Sequence, residues 1–365
     1  MTKKHIFWLP QLVLLLSLAS CDRKVDEFRT VSGNIENIDS IEISAGNIVP
    51  LETNDSSLIY RIDNLEKASN RLIVQSSELL KAYDPKTGKY LGIVTKKGEG
   101  PGEFNHISQI WVKSDTIRLL DVNTFSLFSY LPDGTFVSRN IAFETQDNPD
   151  HAISRPTYLM EIPGNGIYIS LNSFTDGTTK SNPTASLYDK NLKYLRDIDG
   201  RSLRDGSYIS DRMTPDKEGK RLLMWEALID TLFTITPEGI KPWLAFDFGK
   251  NKFPDEYQQK PEMFERIRIF TSDKEAPYIS HLHCYQKMGN ILFFTASTPN
   301  SNSYICRLDL DNDNLKLYKI TDPSGKYIQK NYLKIIDGKL YVELADTESE
   351  EANPALLVIN PDKFE

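Results

Sequence analysis

The chain has 365 residues, 39% of them hydrophobic and 10% aromatic, and carries 43 basic against 51 acidic side chains for a formal net charge of -8. That composition excludes a disordered chain, and with no basic stripe interleaved with aromatics it argues against nucleic acid as a partner. An all-β unit of this length buries an ample core, so one large domain is expected rather than two or three average ones.

The N-terminus reads first. Met1 to His5 is a short basic segment with Lys3 and Lys4, and Ile6 to Leu18 is apolar except for Pro10, Gln11 and Ser17. The run is too short to span a bilayer stably. It leads into Leu18-Ala19-Ser20-Cys21, which looks like a bacterial lipobox. That resemblance implies diacylglycerol on the Cys21 thiol, removal of residues 1–20 as a signal peptide, and acylation of the new amine. The alternative is an ordinary secretory signal with a chance cysteine. Anchoring in the cell envelope is expected, at the outer membrane, facing either the periplasm or the surface. Residues 21–40 are polar and poor in strand formers, as a tether would be.

From about Ile41 a strand-turn-strand pattern recurs. Its first copy is Arg71–Val74, Leu79–Tyr83, the turn Asp84-Pro85-Lys86-Thr87-Gly88 and Lys89–Val94. The second runs from Thr116–Asp121 through Leu127–Tyr130 and Pro132-Asp133-Gly134 to Thr135–Val137. The third has Gly166–Ile169, Ala185–Tyr188 and the turn at Asp189, with Asp176–Pro183 as a longer loop, and the fourth has Arg221–Met224 and Thr231–Ile235 before Pro237-Glu238-Gly239. Ile291–Phe294 with Tyr304–Leu308 makes a fifth, and Lys339–Val342 with Leu356–Asn360 a sixth. Turn positions Asp84, Pro132, Asp189, Pro237, Asp309 and Asn360 are 48, 57, 48, 72 and 51 residues apart. Repeats of roughly 40 to 50 residues with about four strands each are the mark of propeller blades. The interval of 72 needs an insertion, which Asp255 to Phe270 supplies as a short amphipathic helix with Met263, Phe264, Ile267 and Phe270 at helical spacing.

The expected fold is all-β, a six-bladed propeller of four-stranded antiparallel blades filling residues 41–365. The last copy ends after its third strand, while Ser40–Ile43 and Ile48–Leu51 offer a spare β segment, so an N-terminal strand is expected to complete the last blade and close the ring.

The run from Ala82 to Asp121, with Gly98, Gly100, Pro101, Gly102 and Phe104, is similar to NHL-type and TolB-type repeats. More closely, the chain resembles the six-bladed β-propeller lipoproteins of Bacteroidetes. Val49–Thr53 ahead of Leu58–Ile62, the Gly98–Phe104 loop, and Asp230–Pro237 leading into Phe246–Lys250 carry that resemblance over most of the mature chain. It implies fold and envelope location and supplies no activity.

Candidate chemistry is sparse. Gly98, Gly100 and Gly102 would suit a phosphate cradle, but no Lys-Ser or Lys-Thr ends the segment and no helix is expected after it, so a turn between blades is the better reading. His281-Leu282-His283-Cys284 is the one local cluster of soft ligands. On a regular strand His281 and His283 point to one face and Cys284 to the other, so at most two share a metal, and channel packing competes with ligand binding. Cys284 and Cys306 would either pair in an oxidising envelope or stay as buried thiols. Asp309-Leu310-Asp311-Asn312-Asp313-Asn314 imitates a calcium loop, yet Asn314 and Ile320 stand where glycine and a bidentate glutamate belong, and Glu348, Glu350 and Glu351 read as a solvated acidic loop. No Gly-x-Ser-x-Gly elbow and no identifiable carboxylate pair occurs. No metal or cofactor is expected.

A non-catalytic binding or protein-interaction module is therefore the leading expectation, presenting loops and a central channel to an envelope protein, a peptide or a glycan. Trp111, Trp225, Trp243, Tyr158, Tyr208, Tyr278 and Tyr332 are weighed as aromatic anchors against core packing. The alternatives are an envelope hydrolase or lyase acting on a polysaccharide or peptide, and a structural or sensory part of an outer-membrane complex.

Overall fold

The computed structural model describes residues 27–141, 156–172, 185–198, 213–226, 228–259, 263–272, 278–299, 302–349 and 351–364. Cys21, Tyr208 and the Asp176–Pro183 loop lie outside these residues. The strand pattern resolves into six sheets. Blade 1 is Asn64–Ala68, Arg71–Ser76, Leu79–Tyr83 and Tyr90–Thr95. Blade 2 is Gln109–Lys113, Thr116–Asp121, Ser126–Tyr130 and Phe136–Ile141. Blade 3 is Pro156–Glu161, Tyr168–Asn172, Ala185–Tyr188 and Tyr194–Ile198. Blade 4 is Met213–Asp216, Arg221–Met224, Thr231–Thr236 and Gly239–Asp247. Blade 5 is Ser280–Met288, Ile291–Ser297, Ser303–Asp309 and Asn314–Thr321. Blade 6 is Tyr327–Ile336, Lys339–Asp346, Ala355–Ile359 and, from the other end of the chain, Ile48–Pro50.

The protein is thus an all-β, six-bladed propeller. Its ring is closed by Ile48–Pro50, which pairs antiparallel with Ala355–Leu357. Because strands alternate in direction, connections between blades share one face with the loops between second and third strands. We term this the connection face. The remaining hairpin turns lie on the opposite turn face.

The N-terminal segment departs from the expected tether over 21–40. Arg29–Ser32 adds to blade 4 as a fifth, parallel strand against Leu244–Asp247, and Ile38–Glu42 adds likewise to blade 5 against Leu317–Thr321. Short, mostly polar stretches such as Arg-Thr-Val-Ser lack the alternation of a self-standing strand. They are fixed by hydrogen bonds to an existing edge and by single buried side chains, Val31 being 1% exposed.

Between blades the core is aromatic. Trp225, Phe246, Tyr285 and Phe294 pack at the junction of blades 4 and 5, with Tyr285 stacked on Phe294 at 4.9 Å. Phe364, fully buried, meets Phe293 and Tyr318 edge-on at 5.6 and 5.1 Å, while Tyr318 donates to its carbonyl at 3.0 Å. That wedge locks the C-terminal segment in place. The insertion expected over 255–270 forms two short helices, Asp255–Gln258 and Met263–Ser272. They lie in the connection from blade 4 to blade 5, with Phe270 packed on Phe253 and Leu228.

Candidate functional site

The Gly98–Phe104 segment joins blade 1 to blade 2. Its amides are consumed internally: Gly98 N donates to the Phe104 carbonyl at 2.9 Å, Phe104 N to that of Lys96 at 3.3 Å, and Gly100 N to the Glu103 carboxylate at 2.9 Å. That carboxylate stands where a cradled anion would sit, and a Cβ on Gly98 would lie 2.1 Å from it. Like charge therefore keeps phosphate out. Phe104 is 1% exposed and packs between the blades. The Gly102 carbonyl accepts from Tyr130 Oη at 2.9 Å and from Thr95 Oγ1 at 3.2 Å. Gly102 itself has φ +77°, with the Phe136 ring only 2.6 Å from where a Cβ would stand.

The inner wall of blades 5 and 6 is irregular. Pairing in Ser280–Met288 shifts on both sides of His283, and His281 and Cys284 have φ of 49° and 56°. The adjacent inner strand of blade 6 shifts between Gln329 and Leu333. The two irregular strands are tied together, since Thr295 Oγ1 donates to the carbonyls of His283 and Asn331 at 3.2 and 3.3 Å, and Cys284 Sγ to that of Asn331 at 3.5 Å. Bulges of this kind re-aim side chains and concentrate near functional sites. The His281 and His283 rings lie 6.1 Å apart, and His281 meets Phe270 of the roofing helix edge-on at 4.8 Å. Burial holds the His281 imidazole below its ordinary value, so it is a neutral donor and acceptor near pH 7.

Alternation fails here as the sequence reading assumed it. Leu282 packs toward blade 4 and Cys284 toward blade 6, because the shifts on either side of His283 rotate the strand. Among the described residues no three His, Cys, Asp or Glu side chains are grouped to hold a metal. Cys284 and Cys306 are both buried thiols in different parts of the core and are not bonded to each other, so the pairing alternative does not hold. The Asp309–Asn314 turn engages its own carboxylates: Asp309 accepts from Asp311 N, Asp311 from Asn290, and Asp313 from Arg29.

Around the axis, polar side chains join neighbouring inner strands. Lys334 of blade 6 pairs with Glu66 of blade 1 at 2.8 Å. Asn64 Nδ2 donates to the Ile110 carbonyl of blade 2 at 3.0 Å, and Gln109 accepts from Leu159 N of blade 3 at 2.8 Å. Gln286 of blade 5 donates to Thr214 of blade 4 at 3.2 Å and accepts from Ile335 N of blade 6 at 3.4 Å. Near the seam of blades 6 and 1, Glu343 is 7% exposed and accepts from Ile62 N at 3.3 Å. Burial pushes its carboxyl up to about 7, with the Ile62 amide and Lys330 pulling the other way.

Blades 1 and 6 also carry exposed apolar side chains at positions that open on the connection face. Tyr60 is 88% exposed and Leu58, Leu79 and Ile328 are 47%, 43% and 50% exposed. Tyr60 precedes the inner strand of blade 1, Leu79 follows the turn between its second and third strands, and Ile328 begins the inner strand of blade 6.

Residues 34–360 match the family described as "Domain of unknown function (DUF4934)". The chain belongs to the DUF4934 family. Solved structures similar to this DUF4934 chain include a "putative exported protein" of Bacteroides fragilis, 17% identical, covering 91% of this chain and 99% of the other with a TM-score of 0.64. A member of the DUF4221 family from Bacteroides vulgatus is 13% identical, with 85% and 95% covered and a TM-score of 0.55. A protein of unknown function from Bacteroides thetaiotaomicron is 9% identical, with 91% and 75% covered and a TM-score of 0.50. At these identities the likeness is one of fold. No curated protein matches the sequence.

Of the aromatic anchors weighed from sequence, the DUF4934 chain places Trp111 half-buried between blades 2 and 3, against Leu120, Leu159 and Tyr168. Trp225, Trp243 and Tyr332 are buried. Tyr60 was missed as an anchor, although its Leu-Ile-Tyr-Arg-Ile setting shows a large aromatic directly before a blade opens.

Proposed function

We propose that this DUF4934 protein is a non-catalytic envelope lipoprotein, anchored through Cys21, that binds a partner protein, peptide or glycan at the connection face where blades 5, 6 and 1 meet. The observation that carries the reading is Tyr60. A tyrosine 88% exposed at the entry to blade 1, on the same face as the exposed Leu58, Leu79 and Ile328, is an apolar, hydrogen-bonding anchor on a rigid rim. The re-aimed His281 and His283 supply polar groups on the inner wall, the His281 imidazole held neutral near pH 7 by its burial. The export described for the Bacteroides fragilis relative and the Lys3, Lys4 and Leu18–Cys21 pattern support an envelope address, and the NHL-type character of the repeats rests on the Gly98–Phe104 loop.

The test is a crosslinking pull-down from the native envelope, comparing the wild type with Tyr60→Ala and with Cys21→Ala. A specific partner lost with Tyr60→Ala at unchanged thermal stability supports the reading. Retention of every partner by that variant refutes it. The alternative of a hydrolase or lyase has Glu343 in its favour, a carboxyl pushed up to about 7; turnover of a polysaccharide or peptide abolished by Glu343→Gln would establish it.

A further inference from the structure

We infer that the edge of the ring where blades 4 and 5 meet is held next to a lipid surface, while the opposite rim, of blades 1 and 2, stands away from it. The inference rests on the Cys21 anchor of the preceding reading and on the place where the chain joins the ring. Arg29 opens the first strand among the described residues, and it is fixed to two blades at once. Its backbone lies beside Leu244 of blade 4. Its guanidinium reaches blade 5, with Nε 2.7 Å from Asp313 and Nη2 donating to the Leu310 carbonyl at 3.2 Å. Val31, two residues on, is buried.

The length of chain outside the ring then sets the distance. Eight peptide units separate Cys21 from Arg29, so the acylated residue lies at most about 28 Å from that seam. A free tether over 21–40 would let the whole body turn above the bilayer. The observed arrangement ties one edge down instead.

Rim covering follows the same division. Blades 4 and 5 have their outer edges occupied by Arg29–Ser32 and Ile38–Glu42, each added outside the blade's own fourth strand. The outer strands of blades 1, 2 and 3 carry no such addition among the described residues, and they expose Leu91, Ile93, Phe136, Val137 and Leu195. The apolar side chains exposed on the outer strands of blades 1 and 2, Leu91, Ile93, Phe136 and Val137, therefore lie on the side of the rim that the short tether leaves far from the lipid.

The experiment uses the mature chain from Cys21, coupled through that thiol to a maleimide lipid in phosphatidylethanolamine–phosphatidylglycerol vesicles with an energy acceptor in the headgroup layer. Cys284 and Cys306 are buried and leave Cys21 as the reactive thiol. A donor fluorophore is carried by a clickable amino acid at Asn312, in the exposed turn beside Asp313, or at Lys89, at the start of the outer strand of blade 1. Transfer is expected to be higher from Asn312 than from Lys89, and the difference is expected to be lost when a Gly-Ser insert of about twenty residues follows Cys21. Equal transfer from both positions without the insert, or higher transfer from Lys89, overturns the geometry. Mass spectrometry of the Cys21 peptide from native envelopes reads the anchor separately: a peptide without acyl chains overturns the inference through the anchor, whatever the vesicles show.

Discussion

Replacing Glu343 by glutamine should make the protein more stable at alkaline pH and remove a slope from its pH profile. The carboxyl is 7% exposed, with the Ile62 amide as its hydrogen-bond donor. Burial raises its protonation midpoint from an ordinary 4.5 to about 7, the nearby Asp63 adding to the rise and Lys330 and Arg61 opposing it. A carboxyl raised on folding favours the folded state while it is protonated. Its stabilising proton is therefore held in full below about 4.5, and stability falls as pH rises toward about 7 and is level above that. The gap corresponds to about 3 kcal/mol at most. Glutamine keeps an oxygen for the Ile62 amide but buries a carboxamide nitrogen, which takes back about 1 kcal/mol. Glu343→Gln should gain about 2 kcal/mol at pH 8, or about 4 °C in Tm for a domain of this size, and lose about 1 kcal/mol at pH 4, where only the cost of the buried carboxamide remains. Denaturant titrations across that range, on both proteins, decide the matter. Parallel pH profiles for wild type and variant would refute a buried ionisable Glu343.

Three further outcomes are expected. Gly102→Ala places a Cβ 2.6 Å from the Phe136 ring at a φ of +77° and should lose about 2 to 4 kcal/mol, whereas Gly46→Ala, with open space around it, should be close to neutral; thermal denaturation compares them. Asp216, 1% exposed, holds Arg221 at 3.0 Å and Lys287 at 3.2 Å, so Asp216→Asn removes the buried charge that pairs both cations, leaving Lys287 its exposed partner Glu218, and should destabilise by about 2 to 3 kcal/mol at pH 7. Burial alone would raise the Asp216 carboxyl, but the Gly219 amide, Lys287 and Arg221 outweigh it and leave it below its ordinary 3.8; its contribution is complete above that value and fades as pH falls through the lower folded one, so acid titrations of the two proteins should converge only there. Val31→Ala should cost about 2 kcal/mol and, in hydrogen exchange, should speed the amides of Arg29–Ser32 before those of the inner strands.

The blades were legible because their second and third strands, such as Arg71–Ser76 with Leu79–Tyr83, are buried on both faces and read as apolar runs punctuated by Asp, Asn, Pro and Gly turns. Inner strands were harder to see. Asn64-Leu-Glu-Lys-Ala has no β-branched residue, and its place is set by neighbours across the axis, through Asn64 to blade 2 and Glu66 to blade 6. Arg29–Ser32 was read as tether, and Ser40–Ile43 as part of the segment closing the last blade when Ile38–Glu42 in fact adds to blade 5, for a related reason: a strand that borrows an existing edge needs little propensity of its own. Pattern could show that His281 and His283 stand two apart. It could not show the shifts in pairing that turn Leu282 and Cys284 to opposite sides, since those depend on the bulged strand of blade 6 beside them.

The belt also sets an order of assembly. Arg29 waits for Leu244, Ile38 for Leu317, and Ile48 for Leu357, so a chain delivered N-terminus first carries three strands without partners until later blades exist. Pairings of such long sequence separation are slow to form. A truncation near the C-terminus that removes Ala355–Ile359 leaves Ile48–Pro50 without its partner and the open side of the last blade bare. Closure by the earliest residues thus makes the ring a test of completeness, in which only a full-length chain hides its own edges from aggregation and from envelope proteases.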